Sequence, residues 1–342
     1  MEILLPIAHT EINVIEVLIL GIVVGVLSGM LGIGGGIILN PILIKMGIPS
    51  VVVVGTSISQ MIGASLSGFL NYLKAGKVDT KMGKYVVIYG VIGGFIGVLL
   101  INYLKQSGDV KRFILLVYTV YLFLLGSFIF YESFKNKEKH EHKAPEFIKN
   151  LPLKKDFNVG QVSLIVPAGI GLLSGFLAAV MGIGGGNLVV PALMYLAGYD
   201  VVSAIAISIF QMVFITSFLS FLHSYFNHGV DIILGLILLI GSSFGAVFGS
   251  ILGQKINRFY LKVFLAVLML IVAAYSLKQF LSTKQKEIFN LVPDNFFANL
   301  LTNYPLVYSI LVIVISLVVG YIISIITMRV KDYIMKKFLN KS

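Results

Sequence analysis

Eight runs of this chain contain no Asp, Glu, Lys or Arg: 17–44, 46–73, 85–104, 113–131, 157–199, 201–230, 232–254 and 295–328. A bilayer crossing takes about 20 apolar residues as a helix. Within lipid every backbone polar group must be satisfied internally, which leaves helices or closed barrels. Runs this long suit helices. Several exceed one crossing and must contain a turn. The runs predict long helices over 13–31, 51–73, 83–103, 112–131, 161–181, 201–226, 231–253, 261–280 and 305–328, with short apolar segments at 37–46 and 187–197. Apolar residues make up 58% of the chain and charged ones 12%, so a soluble, disordered or disulfide-stapled protein is excluded.

The net charge of +11 is read as loop charge of a membrane protein rather than a nucleic-acid surface. No cysteine is present, so thiol catalysis and thiolate metal sites are ruled out. The start, Met1-Glu2-Ile3, lacks the basic character of a signal peptide, so the first helix is expected to stay in the mature protein. The polar stretch 132–160 carries His140 and His142 among lysines. It is read as a solvated linker, and no metal or other cofactor is expected.

Self-similarity organises the rest. Leu31-Gly32-Ile33-Gly34-Gly35-Gly36 with Pro41 recurs as Met181-Gly182-Ile183-Gly184-Gly185-Gly186 with Pro191, 150 residues on. Ser57-Ile58-Ser59-Gln60-Met61 recurs as Ser208-Ile209-Phe210-Gln211-Met212. Val78-Asp79 recurs as Val230-Asp231, and Gly93 and Gly97 as Gly245 and Gly249. The expectation is an all-α polytopic membrane protein with two homologous repeats, at 13–131 and 161–280. A polar linker at 132–160 joins them, and 281–342 adds one more transmembrane helix and a basic tail. Loop charge favours inverted repeats over parallel ones. With the short segments counted as crossings, 74–84, 132–160, 254–262 and the tail share one side and hold 19 of the 26 basic residues.

The glycine motif is neither a dinucleotide loop nor a P-loop. The third glycine of G-x-G-x-x-G would fall at Ile37 or Asn187, and no Gly-Lys-Ser/Thr follows. Consecutive glycines instead break a helix in each repeat, with Gly32, Pro41, Gly182 and Pro191 marking the breaks. The helix that restarts offers unpaired N–H groups carrying partial positive charge, an anion site that needs no cationic side chain. The candidate substrate contacts are therefore Gly34, Gly35, Gly36, Gly184, Gly185 and Gly186. Asn40, Ser57, Gln60, Asn187, Ser208 and Gln211 are the polar residues nearest to them. The four-spaced glycines Gly90, Gly93, Gly94, Gly97, Gly241, Gly245, Gly249 and Gly253 are read as helix packing. Glu16, Asp79, Asp200, Asp231, His223 and His228 fall near helix ends, so no ionisable group is expected at mid-span and an enzyme is not expected.

Paired Gly-Ile-Gly-Gly-Gly…Pro segments, each followed by a Ser-x-x-Gln helix and a glycine-rich helix, resemble the TauE/SafE sulfite exporter family, also known as the toluene-sulfonate uptake permeases. The resemblance spans about residues 14–280. It implies a multi-pass plasma-membrane permease for a small anion such as sulfite, a sulfonate or a related sulfur compound. Partners are then that anion and the lipid bilayer, with a coupling ion (H+ or Na+) and a homo-oligomer left open, and no nucleic acid. A channel-like anion facilitator and a non-transporting membrane scaffold are the alternatives. The chain departs from the family pattern in its ninth helix, in its tail of Arg329, Lys331, Lys336 and Lys337, and in the non-equivalent placing of Asn40 and Asn187.

Overall fold

The computed structural model describes residues 2–31, 35–74, 76, 78–135, 145–256, 258–283 and 285–339. The nine long helices are present. They are α1 (Val14–Leu31), α3 (Ser50–Lys74), α4 (Thr80–Ser107), α5 (Val110–Lys135), α7 (Ile165–Met181), α9 (Val201–Asn227), α10 (Ile232–Lys255), α11 (Arg258–Ser282) and α13 (Pro305–Leu339). The two short segments are also helical. The first is α2 (Gly36–Lys45). The second is α8 (Gly186–Ala192), which runs on as a π-turn over Leu193–Ala197. Among the described residues, α4, α5, α9, α10, α11 and α13 are long and apolar enough to cross a membrane. The apolar helical stretches of α1, α3 and α7 are shorter, at Val14–Met30, Ser50–Leu66 and Ile165–Met181.

Four elements were not legible in the charge pattern. A hairpin of β1 (Glu2–Leu4) and β2 (Glu11–Asn13) precedes α1. A second hairpin, β3 (Lys154–Phe157) with β4 (Gly160–Ser163), precedes α7, and α6 (Glu146–Lys149) lies ahead of it. Helix α7 accordingly begins at Ile165 rather than at 161, because residues 160–163 are paired as a strand. The linker histidines His140 and His142 lie outside the described residues. Helix α12 (Phe296–Asn303) packs on α13.

Aspartates cap the helices and tie the hairpins down. Asp79 opens α4 by accepting from the N–H groups of Lys81 and Met82 at 3.0 and 3.1 Å. Its other oxygen accepts from the N–H of Asn158, in the β3–β4 turn, at 2.8 Å and from the Tyr199 hydroxyl at 2.7 Å. Asp231 opens α10 through the Leu234 N–H, and also holds Ile7 and Ala8, between β1 and β2, at 2.8 and 3.3 Å. A side-chain acceptor at a helix start satisfies a donor that would otherwise be orphaned. Here the same carboxylate also fixes the hairpin that leads into another helix.

These contacts define two ends of the bundle. The first end gathers the β1–β2 hairpin, the start of α3, the α4–α5 and α9–α10 turns and the loop after α11. Ser50 donates its N–H to Glu287, Lys105 donates to the carbonyl of Asn227, and Asn295 donates to that of Pro6. The second end gathers the α3–α4 turn, the β3–β4 hairpin and Tyr199.

Glycine sets the helix spacing. A Cβ built on Gly249, Gly245 or Gly25 would stand 2.1–2.3 Å from a carbonyl oxygen of the facing helix, so α1 and α10 pack backbone to backbone, side by side and parallel. Helices α4 and α7 pack in the same way: a Cβ on Gly93 would stand 2.0 Å from the Leu172 oxygen, one on Gly175 2.0 Å from the Gly90 oxygen and one on Gly171 2.6 Å from the Val86 oxygen. Helix α3 crosses α9 antiparallel, with Gly55 against Gly229 and Gly68 against Ile209. Helix α5 runs antiparallel to α11, with the guanidinium of Arg112 over the Phe280 ring at one end of the pair and Glu132 3.3 Å from Lys262 at the other.

Candidate functional site

Helix α7 stops at Met181 because Gly182 takes a left-handed conformation (φ +69°), its N–H closing back on Ala178 at 2.9 Å. Gly184 and Gly185 are also left-handed, at φ +69° and +76°, a run that glycine adopts without steric penalty. Helix α8 restarts at Gly186, and the Gly185 carbonyl accepts from Leu188 and Val189. The other copy differs. Helix α1 ends at Leu31 and α2 begins at Gly36, with Gly35 right-handed at φ −71°. Gly32 and Gly34 lie outside the described residues. Pro41 and Pro191 sit inside α2 and α8 rather than at the breaks.

The two glycine segments meet. A Cβ on Gly36 would lie 2.6 Å from the Gly182 oxygen and 3.2 Å from Cα of Ile183. The carbonyls of Ala179 and Met181 at the end of α7, and that of Gly182 beyond it, are answered from other helices. Asn40 of α2 donates its amide to the oxygens of Met181 (2.7 Å) and Gly182 (3.3 Å). The Tyr118 hydroxyl of α5 donates to Met181 at 2.6 Å and lies 3.1 Å from the Gly36 oxygen. His223 of α9 contacts the Ala179 oxygen at 2.9 Å. Ser57 donates its hydroxyl to the Asn40 side-chain oxygen. Asn40 and Ser57 are thus occupied in clamping the end of α7.

The remaining sequence candidates are in a different state. Asn187 is 6% exposed and Gln211 is fully buried, and neither amide nitrogen nor amide oxygen of either residue has a partner among the described residues. Gln60 donates to the Ser242 hydroxyl at 2.6 Å, while its oxygen is unpaired. Ser208 is buried, with its hydroxyl 3.1 Å from the position of a Cβ on Gly186. Among the described residues, the N–H groups of Gly184, Gly185, Gly186 and Asn187 find no acceptor, nor do those of Gly35, Gly36 and Ile37. A buried polar group without a partner costs about 1–3 kcal/mol. The second break therefore concentrates unsatisfied donors, as a site for an oxygen-rich anion requires.

Four residues absent from the sequence-level site surround it. The Met212 side chain reaches Gly184 and Gly186, and the Met61 sulfur reaches Gly184, each within 3.0 Å of an added Cβ. Their signal was the recurrence of Gln-Met in the two repeats. Tyr118 and His223 carried none beyond being polar groups in apolar runs. His223 lies near the end of α9 as expected, and there it touches Ala179, two residues before the last helical residue of α7. A separate open cleft of about 500 Å³ lies at the second end, lined by Lys81, Lys84, Tyr85, Ile88, Lys155, Asp156 and Phe157.

Outside the spans, burial pushes the Asp231 carboxyl above the ordinary carboxylate range, partly offset by the N–H groups of Ile7, Leu234 and Ala8. The Ser203 side chain holds Asp200 below that range. Burial lowers the imidazole of His228, helped by the charge of Lys105.

Long apolar helices around an interrupted pair define a multi-pass helical membrane protein. The sulfite exporter TauE/SafE family model matches residues 17–276, and the chain belongs to that family. It is 27% identical to the probable membrane transporter protein YunE of Bacillus subtilis over 238 residues, covering 66% of this chain and 83% of the relative. It is 29% identical to the probable membrane transporter protein MJ0441 of Methanocaldococcus jannaschii over 202 residues, covering 56% and 65%. The probable membrane transporter protein YjnA of Bacillus subtilis is 24% identical over 233 residues, covering 67% and 85%. No solved structure gives a significant match.

Proposed function

We propose that this transporter carries a small sulfur-bearing anion, sulfite or an organic sulfonate, across the plasma membrane. The anion binds at the second break, held by the N–H groups of Gly184–Asn187, the amides of Asn187 and Gln211, and Gln60 from the facing helix. The observation that carries this reading is a pair of buried amides with no partner among the described residues: Asn187, within the run of open N–H groups, and Gln211, on α9 between Ser208 and Met212, whose side chains meet Gly186. The family to which the chain belongs supplies the substrate class.

Residues 13–131 and 161–280 act in this reading as inverted repeats. The antiparallel crossings of α3 with α9 and of α5 with α11 support it, as does the reciprocal packing of α1 on α10 and α7 on α4. Access to the site alternates as one pair, with its hairpin, moves against the other. The second end, rich in basic residues, faces the cytoplasm. Cysteines at Gly76 and His228 then label from opposite sides; labelling from one side rejects the inverted arrangement.

The test of the site is Gln211→Leu in proteoliposomes given sulfite from outside. Removing a buried unsatisfied amide stabilises the fold or leaves it unchanged, by up to about 1–3 kcal/mol. A binding role costs flux at the same time, so the expected result is a thermal midpoint at or above that of the parent with uptake reduced at least tenfold. Undiminished uptake in that variant removes Gln211 from the site.

A further inference from the structure

Beyond the break, α9 carries a polar face that the binding site does not absorb. Thr216 lies beside Gly184, its methyl 3.7 Å from a Cβ built there. Ser220, His223, Ser224 and Asn227 follow at spacings of three and four, so they share one side of the helix as far as the first end of the bundle. All four are fully buried.

Several helical serines and threonines in this protein return their hydroxyl to the carbonyl four residues earlier. Thr216 does so to Met212, Ser217 to Val213, Ser65 to Met61 and Ser309 to Pro305. Ser220 and Ser224 do not, and neither hydroxyl has any partner among the described residues. His223 and Asn227 add a third vacancy by logic of hydrogen count. The Ala179 oxygen can only accept, so Nε2 of His223 carries the hydrogen. Nδ1 is then bare and accepts from the Asn227 amide at 3.0 Å, which leaves the Asn227 side-chain oxygen unpaired. Three orphaned oxygens thus succeed one another along one helix face. At its outer end Lys105 donates to the Asn227 backbone carbonyl at 2.8 Å, with its ammonium 5.0 Å from the Phe289 ring centre.

We infer that this face of α9 is the inlet through which the anion and its water reach the second break from the first end, with Lys105 at the mouth. Rows of buried, unpaired hydroxyl and amide groups need water to satisfy them. Hydroxyls not spent on their own helix can donate to an anion in transit. Lys105 sits where an anion would have to pass, half-buried and therefore little screened. This inference rests on the second break being the binding site.

The natural absence of cysteine makes the test clean. Single variants Ser220→Cys and Ser224→Cys are reconstituted and treated with an anionic (sulfonatoethyl) and a cationic (trimethylammonioethyl) methanethiosulfonate. Rates are normalised to Asn290→Cys, exposed at the first end, and compared with Lys81→Cys, exposed at the second. Both inlet cysteines are expected to react from the Asn290 side alone. They should favour the anionic reagent by about tenfold or more, as a focused field in a low-dielectric cleft gives. Lys105→Gln should erase that preference and Lys105→Arg should keep it. Silence at both positions while Asn290→Cys reacts, labelling from the Lys81 side, or equal rates with the two reagents each overturns the inlet. Labelling needs no transport, so its failure alongside a flux-dead Gln211→Leu condemns the inlet alone. Its success alongside normal flux in that variant condemns the site.

Discussion

Gly184→Ala separates a glycine kept for its backbone from one kept for the space in front of it. At φ +69° an alanine is strained by about 1–2 kcal/mol. Its methyl would stand 2.9 Å from Cε of Met212 and 3.0 Å from the sulfur of Met61. Both are the far ends of flexible side chains. Turning each aside costs about 0.5–1.5 kcal/mol, so the whole penalty is about 2–5 kcal/mol. Two other glycines calibrate it. Gly76, at φ +64°, has open space where its Cβ would be, so Gly76→Ala pays the backbone strain alone. Gly185, at φ +76°, would set a Cβ 2.9 Å from the backbone oxygen of Ser174, which cannot step aside.

The expected order of thermal midpoints is therefore Gly76→Ala highest, Gly184→Ala next and Gly185→Ala lowest. At this chain length each kcal/mol is worth about 2 °C. Gly76→Ala should lose about 2–4 °C and Gly184→Ala about 4–10 °C, both remaining folded at 25 °C. Sulfite uptake should not follow that order. Gly76→Ala should transport at close to the parent rate, whereas Gly184→Ala, with a methyl over the open N–H groups, should fall at least tenfold. The assay pairs midpoints in detergent with initial uptake rates in proteoliposomes, corrected for reconstituted protein. Parental uptake in Gly184→Ala would refute the placing of the anion, whatever its midpoint.

Further consequences concern the frame around the site. Asn40→Leu strands the Gly182 oxygen and the Ser57 hydroxyl, at about 1–3 kcal/mol for each buried group left unpaired, while Ser57→Ala leaves both carbonyl bonds intact; a larger midpoint loss in Ser57→Ala would contradict the clamp. Gly169→Ala in α7 meets nothing within 4 Å and should raise stability by about 0.5–1 kcal/mol. Gly249→Ala puts its methyl 2.1 Å from the Val26 oxygen and should destabilise the protein severely, so equal midpoints for the two would be inconsistent with backbone packing of α1 on α10. Two aspartates should give opposite acid responses. Asp231, raised by burial, binds its proton more tightly when folded, so its charge costs stability that is regained as pH falls through its folded pKa. Asp200, lowered by Ser203, contributes stability above the ordinary carboxylate range that is lost as pH falls through its folded pKa. Midpoints from pH 7 to 3.5, compared with Asp231→Asn and Asp200→Asn, check both signs.

The helices and their interruptions were legible because they follow from local facts: runs without charge, and consecutive glycines that cannot sustain a helix. What each polar group does was not local. Asn40 and Gly182 are 142 residues apart, and no pattern near either says that one caps the other. The Val-Asp pair was visible only as a recurrence. Its work as a cap and hairpin tether depends on Ile7 in one case and Asn158 in the other. The hairpins were missed because their strands are three or four residues long and sit in polar flanks where hydropathy carries no period.

The two breaks are unequal in a way that decides where chemistry can happen. The offset that carries Gly32 to Gly182 carries Asn40 to Val190 and Ile37 to Asn187. Each half thus keeps one amide on its short helix, but at a different depth. Asn40, on the fifth residue of α2, reaches across to the carbonyl end of α7 and is consumed there. Asn187, on the second residue of α8, stands among open N–H groups with no partner among the described residues. Carbonyl ends repel an anion and N–H ends attract it. An amide that neutralises the first makes the crossing point tolerable, and one left free at the second makes it sticky. The α9 face repeats the inequality: the Ser220 and Ser224 hydroxyls have no partner among the described residues, whereas the 151-residue offset places Phe69 and Leu73 at the matching positions of α3. A symmetric ancestor would offer two equivalent half-sites. In the proposed reading this chain has spent one on holding the break together and kept the other for its substrate.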